Sequence, residues 1–285
     1  MPSASTRAAA VSTESAGPAR SILAGLLWLV VIGLSPPDLQ AETPRIAIVI
    51  DDMGYQSGND RAILALDRRV AVAVIPEAPG ASTISAEATA QGREVLIHLP
   101  LEGLGHDNCQ PALTCIGRDW SVDRIQRHLN EALDRVSGAV GLNNHQGSRF
   151  TRDAEAVARL VDGIERVGRS RGQPLFVLDS RTVVDTLFEA SALDAGLRAT
   201  RRQVFLDHRH DPVTIRMAWE DVLDLARYHG SALVIGHPRD HTIRFLEEIL
   251  PTLAAENIEL VPPSVLTRVR PTAAGRTHGR TKAAP

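Results

Sequence analysis

Six apolar runs in this chain each stop at a carboxylate or an imidazole, the groups that carry protons and bind divalent ions near neutral pH. Asp51 and Asp52 close IAIVIDD, and His98 ends the run EVLIH, with Glu102 four residues on. His145 follows GLNN, Asp179 closes LFVLD, Asp207 and His208 close VFLDH, and His237 closes LVIGH. Two adjacent carboxylates straight after a buried strand repel each other unless a cation or a shared proton relieves them. The bland alternative for Asp51-Asp52-Met53-Gly54 is a turn that caps the next helix. Aspartate with imidazoles and no thiolate is a catalytic rather than structural ligand set, suited to zinc and tolerant of other first-row divalent metals. Such an ion polarises a carbonyl, a second carboxylate beside it takes a proton from water, and a histidine across the cleft protonates the leaving group.

Each position has a competing reading. His98 alone is more often an interior hydrogen-bonded histidine; its expected closeness to Asp52 makes it a ligand. His145 sits among Asn143, Asn144, Gln146 and Ser148, as a metal ligand or a substrate contact. Asp179 belongs to the site or forms an ion pair with Arg181 at the rim. Asp207 and His208 join the site or lie in a solvated loop, and His237, held before Pro238, reads as catalytic. His106, His128, His229 and His241 fall on expected loops or helix surfaces. Lys282 is the only lysine, so Schiff-base chemistry and a phosphate-loop lysine are excluded from the body of the chain. A net charge of −3 offers no electrostatic footprint for nucleic acid.

The elements that position these groups alternate along the chain. Near-continuous apolar runs at Ile46–Ile50, Val70–Ile75, Glu94–Leu99, Ala139–Leu142, Leu175–Leu178, Gln203–Leu206, Ala232–Ile235 and Ile258–Val261 read as strands buried on both faces. Between them, helical spacing covers Asn59–Leu66, Ala81–Gln91, Val122–Val136, Ala154–Arg169, Asp185–Ala195, Pro212–Tyr228 and Thr242–Ala255. Ser121, the stretch Thr151–Asp153 and Pro212 supply start signals, and Gly92, Gly172, Gly196 and Gly230 supply stops. The pattern predicts an α/β fold of seven to eight parallel strands. A distorted (β/α) barrel is the expectation, although periodicity also fits a flat doubly wound sheet. In either case the carboxyl ends of the strands open on one face, where distant side chains meet.

The ends of the chain read differently. Ser21–Leu34 is an uncharged apolar run after Arg7 and Arg20, as a helix about 21 Å long and too short for a comfortable membrane span, so residues 1–41 read as a secretory signal peptide. Membrane contact is expected only through that segment, if uncleaved, and the protein is expected to be periplasmic or secreted. Residues 42–270 form one domain, and residues 271–285, with Arg276, Arg280 and Lys282 and no large apolar residue, read as a disordered basic tail. Export makes Cys109 and Cys115 an expected disulfide across a short loop.

The runs IVIDDMGY, GREVLIHLPLE, GLNNHQGSRFT, LFVLDSRT, FLDH and LVIGHP, in that order, resemble the divergent polysaccharide deacetylases, remote relatives of the NodB-type carbohydrate esterases. The resemblance spans about Pro44 to Val269, and GLNNHQGSRFT is its most specific part. It implies a distorted barrel that removes acetyl groups from N-acetylated sugars with a divalent metal, zinc being the expected ion, and a carbohydrate substrate. By position Asp51 matches the catalytic base, Asp52 and His98 match metal ligands, and His237 matches the late general-acid histidine. Glu102 stands where the related esterases carry a second motif histidine, so His145 or Glu102 completes the metal set. That departure motivates an alternative, a non-catalytic envelope protein that binds a glycan or protein partner in the same cleft. A metal-independent glycoside hydrolase is a third reading, weakened by the histidines among the strand-end acids. Aromatic residues make up 4% of the chain, little for a long sugar-stacking groove, which favours a short or unusual substrate.

Overall fold

The computed structural model describes residues 42–105 and 114–270. The expected signal segment, the basic tail and Cys109 of the expected disulfide lie outside the described residues. In chain order the elements are β1 (Arg45–Met53), α1 (Ser57–Ala65), β2 (Ala71–Val74), α2 (Ala81–Ala90), β3 (Val95–Leu101), α3 (Val122–Arg135), β4 (Ala139–Gln146) and α4 (Ala154–Arg171). They continue as β5 (Phe176–Asp179), α5 (Phe188–Asp194), β6 (Ala199–Arg201), β7 (Val204–Phe205), α6 (Pro212–His229), β8 (Ser231–Gly236), α7 (Asp240–Ile249) and β9 (Glu259–Leu260).

All the strand pairs are parallel, in the order β6-β5-β4-β3-β2-β1-β8-β7, with β9 joined to the start of β1. The two end strands of that order are neighbours in the chain. Arg202 N–H donates to Asp179 O on β5 at 3.0 Å, and the next N–H, that of Gln203, donates to Leu233 O on β8 at 2.9 Å. The chain therefore crosses from one edge of the sheet to the other within one residue, and the sheet curls into a distorted barrel at this seam.

Alternation along the strands sorts the core into two sets. Ile46, Ile48, Ile50, Val95, Ile97 and Leu99 pack outward with the helices. Ala47, Val49, Ala71, Ala73, Leu96, Phe176, Leu178, Leu233 and Ile235 form a smaller inner cluster, where alanines suit the narrow interior. The strand signals in the sequence were right in place but not in length. β6 was unforeseen because Ala199-Thr200-Arg201 is no apolar run and becomes a strand only by pairing with β5. The last helix ends at Ile249, short of Ala255, because Pro251 cannot continue the hydrogen-bond ladder and the chain tightens into a 3₁₀ turn. The three signalled helix starts are observed where expected: Ser121 accepts from Arg124 N–H, Asp153 from Ala156 N–H, and Asp211, before Pro212, from Val213 and Thr214 N–H. By contrast, α1, α5 and α7 start two or three residues from the expected Asn59, Asp185 and Thr242.

Gly141 gives β4 its close approach to β5, since a Cβ there would lie 2.8 Å from the Phe176 ring and its carbonyl oxygen. Gly141→Ala is expected to cost roughly 1–3 kcal/mol of stability by overpacking. For a domain of this size that lowers the thermal midpoint by about 2–4 °C per kcal/mol, measurable by calorimetry.

Candidate metal centre

The inner set of each strand, continued upward, leads to the polar residues. Ala47 and Val49 lead to Asp51, Leu96 leads to His98, Phe176 and Leu178 lead to Ser180, and Leu233 and Ile235 lead to His237. On β4 the register places Asn143 beside His98, after a bulge that lets Val95 pair with Ala139 but Leu96 with Gly141. Strict alternation would send Asp52 away from Asp51. Its φ of 57° breaks the alternation, a left-handed conformation that aspartate tolerates better than most residues, and its carboxylate turns to the same site.

Three ligand atoms then converge. Asp52 Oδ1 lies 3.0 Å from His145 Nδ1 and 3.2 Å from His98 Nε2, and the two ring nitrogens are 3.1 Å apart. A tetrahedral ion with bonds of about 2.0–2.1 Å spaces its ligand atoms about 3.3 Å apart, so this triangle matches one face of such a coordination shell to within a few tenths of an ångström. His98 Nδ1–H donates to Asn143 Oδ1 at 2.9 Å, which leaves the lone pair of Nε2 aimed at the centre. Asn143 Nδ2 in turn donates to Asp51 Oδ1 at 2.8 Å and to Ser180 Oγ at 3.0 Å. One buried amide thus sets both a ligand histidine and the neighbouring carboxylate. His145 lacks such an anchor: among the described residues its Nε2 is buried with no hydrogen-bond partner.

The electrostatics ask for positive charge. Burial opposes ionisation of Asp52, but the hydrogen bonds of His145 and His98 hold it well below the usual carboxylate range. Burial pushes the Asp51 carboxyl up, against the pull of His98 and His237. Burial also disfavours charge on His98, yet Asp51 and Asp52 together raise it to about 9. The two carboxylates thus favour a positive charge at this point.

His237 forms the opposite flank. Its Nδ1–H donates to Asp207 Oδ1 at 2.8 Å, and Asp207 Oδ2 accepts from His237 N–H and Thr242 Oγ–H, each at 2.8 Å. Asp207 is fully buried; burial resists its ionisation, but the donors of His237 and Thr242 hold it below the usual range. The tautomer this imposes presents His237 Nε2 to the cleft, 3.7 Å from Asp52 Oδ2.

The other residues singled out in the sequence do different things. Asp207 is the carboxylate behind His237; it is neither one of the three converging groups nor itself part of the cleft lining. Asp179 points out of the barrel interior and accepts from Arg181 N–H, Thr186 Oγ–H and Glu189 N–H. The expected ion pair with Arg181 is therefore a backbone contact instead. Glu102 accepts from the backbone and side chain of Arg118 and from Arg149, and it is not among the groups that converge at the triangle. Asn144 lines the cleft but spends its side chain on Gln146 O and Ser180 N–H. His208 is exposed at the cleft mouth beside Phe205. His128, expected on a helix surface, is buried against Trp120. The turn reading of Asp51 and Asp52 gives way as well, because Asp60 braces that turn by accepting from Gly54 and Gln56 N–H. Asn143, which sequence reasoning left as part of a polar neighbourhood, is the main omission; only its register opposite His98 marks it out.

These groups line a cleft of about 530 Å³. A larger groove of about 700 Å³ runs along α6, lined by Tyr228, Asp221 and Asp224, but none of the converging ligand atoms lies in it.

The molecule is a parallel (β/α) barrel with a candidate three-ligand metal centre at the carboxyl ends of its strands. The chain belongs to the divergent polysaccharide deacetylase family, whose model matches residues 48–267. It is 34% identical over 241 residues to the uncharacterized protein YibQ of Escherichia coli K12, covering 85% of this chain and 72% of that protein. It is 36% identical over 217 residues to an uncharacterized protein of Haemophilus influenzae, covering 76% and 74% respectively. The fold is similar to that of the uncharacterized protein ATU2773 from Agrobacterium tumefaciens, with a TM-score of 0.72 at 22% identity, covering 80% of this chain and 90% of the other.

Proposed function

We propose that this protein is an exported, metal-dependent amide hydrolase that removes acetyl groups from an N-acetylated glycan. The observation that carries the reading is the convergence of Asp52, His98 and His145 on one point, with Asp51 3.6 Å from His98 on one flank and His237 3.7 Å from Asp52 on the other. Membership of the divergent polysaccharide deacetylase family supports the acyl-sugar substrate, and the apolar run Ser21–Leu34 supports export.

In this proposal Asp52, His98 and His145 hold the metal, zinc being the best match to two imidazoles and a carboxylate. A divalent ion there supplies Lewis acidity, polarising the acetamide carbonyl and making water more acidic. The chain's own groups move the protons. Asp51, whose carboxyl burial pushes up, accepts a proton from water as the water oxygen bonds to the acyl carbon. His237 Nε2 delivers a proton to the sugar nitrogen as the C–N bond breaks, giving acetate and a free amine. Asn143 fixes the direction of both Asp51 and His98, and Asp207 fixes the tautomer of His237.

The non-catalytic alternative drew on Glu102 in place of a motif histidine. His145 offers from β4 the third ligand atom that Glu102 does not, so the proposal has no need of the missing residue. The test is acetate release from an N-acetylated oligosaccharide by the purified mature protein, together with its metal content. Activity lost to a chelator and restored by zinc is the expected result. Full activity in the chelator would point back to a two-carboxylate glycosidase, and a metal-loaded protein with no hydrolytic activity would point to a binding role.

Asp207→Asn is expected to lower kcat roughly 10–100-fold, the usual effect of losing the partner that orients an active imidazole. Metal content should stay at the wild-type level, because Asp207 touches no ligand atom of the triangle.

A further inference from the structure

Arg181 and Arg202 both line the cleft that holds the candidate metal centre, and among the described residues neither forms an ion pair with a carboxylate. Arg202 spends its Nε–H on Ser180 O and its terminal N–H on Arg181 O, both at 2.7 Å, and stacks over the Phe205 ring at 5.0 Å. Burial, and then the nearness of Arg181, lower its affinity for a proton. Arg181 itself makes no side-chain hydrogen bond or ion pair among the described residues. The nearby Asp179 is already occupied by Arg181 N–H, Thr186 and Glu189.

The backbone of Arg181 is held in an unusual way. Its φ is 49°, in the left-handed region that costs a non-glycine side chain, and Asp179 Oδ1 grips its N–H while Arg202 grips its carbonyl. A half-buried arginine whose peptide is held on both sides, and whose guanidinium has no partner among the described residues, offers a free donor fork to an anionic oxygen. The acids at the base of the cleft do not use it: Asp51 pairs with Asn143 and His98, and Asp52 with His98 and His145.

We infer that the cleft takes an acidic glycan, in which a carboxylate or phosphate near the acylated nitrogen is bound by the guanidinium of Arg181, with Arg202 as the brace behind it. The sugar part of this inference rests on the deacetylase reading; recognition of the anion does not. Three probes separate the possibilities: the neutral N-acetylglucosamine disaccharide, the N-acetylglucosamine–glucuronate disaccharide, and the neutral disaccharide carrying a 6-phosphate. Their binding to the full-length, metal-loaded chain is measured by competition NMR, with the acetate methyl signal recorded in the same samples.

One or both acidic probes are expected to bind roughly tenfold or more tightly than the neutral one at low ionic strength, the contribution of one charged hydrogen-bonded pair. The preferred probe tells carboxylate from phosphate. Arg181→Gln should bring that preference close to unity, and so should high salt. Arg209→Gln, the same loss of charge on an exposed loop, should keep it. Equal affinity for all three probes, or an undiminished preference in Arg181→Gln protein with an unchanged melting temperature, overturns the inference. Acetate release without an acidic preference leaves the deacetylase standing and removes this site. An acidic preference without acetate does the reverse.

Discussion

Replacing His145 with alanine is expected to empty the metal centre as completely as replacing His98, whereas Glu102→Ala leaves the metal in place. The described residues offer three ligand atoms, and any one of them is a third of their hold on the ion. Complete protein sites bind zinc with about 10–16 kcal/mol, so one ligand is worth on the order of 3 kcal/mol and its loss weakens binding at least about a hundredfold. Dialysis against a modest chelator concentration, followed by elemental analysis, reads this directly. The same measurement distinguishes the two candidates for the third ligand. Glu102 is engaged with the side chains of Arg118 and Arg149 and with Arg118 N–H, so its removal costs roughly 1–3 kcal/mol of stability, mainly from the N–H left without its acceptor, and no metal. Metal retained in His145→Ala protein but lost in Glu102→Ala protein would require the two to exchange roles.

Asp51→Asn should keep the metal and lose turnover. Asn is isosteric and its side-chain oxygen still accepts the hydrogen bond from Asn143, so the geometry around His98 persists. What disappears is the carboxylate beside the triangle that takes a proton from water. General-base catalysis contributes about 10²–10⁴ in rate, and kcat should fall by that factor with little change in KM. The two variants therefore separate binding of the ion from use of it. Near wild-type acetate release from Asp51→Asn protein would dismiss Asp51 as the base. Full complementation of a deletion phenotype by the same inactive variant would favour the binding role for the cleft.

Most of the candidate site was readable from residue type and position alone, because a parallel βα fold brings the carboxyl ends of all its strands to one face. Asp51, Asp52, His98, His145 and His237 each follow an apolar run, and that regularity needs no coordinates. Glu102, Asp179 and Asp207 follow such runs too, and they show where the rule stops. Side-chain direction at a strand end depends on register and on the φ of single residues. Asp179 faces outward by alternation and caps the segment before α5, and Asp207 turns behind His237. Asp52 reaches the centre only because its φ of 57° reverses the alternation.

By itself the amino-acid order determined the alternation of strands and helices, a parallel sheet with helical crossovers, the acid and imidazole inventory, and the absence of a lysine in the domain. Those are matters of local periodicity and composition, which each stretch of chain carries independently. Tertiary structure alone decided that the sheet closes through the Arg202–Gln203 crossing, that Asn143 lies opposite His98, and that Arg181 stands in the cleft without an ion-pair partner among the described residues. These relations join residues tens to hundreds of positions apart, and they arise from strand register and barrel closure, which no local pattern of residues encodes.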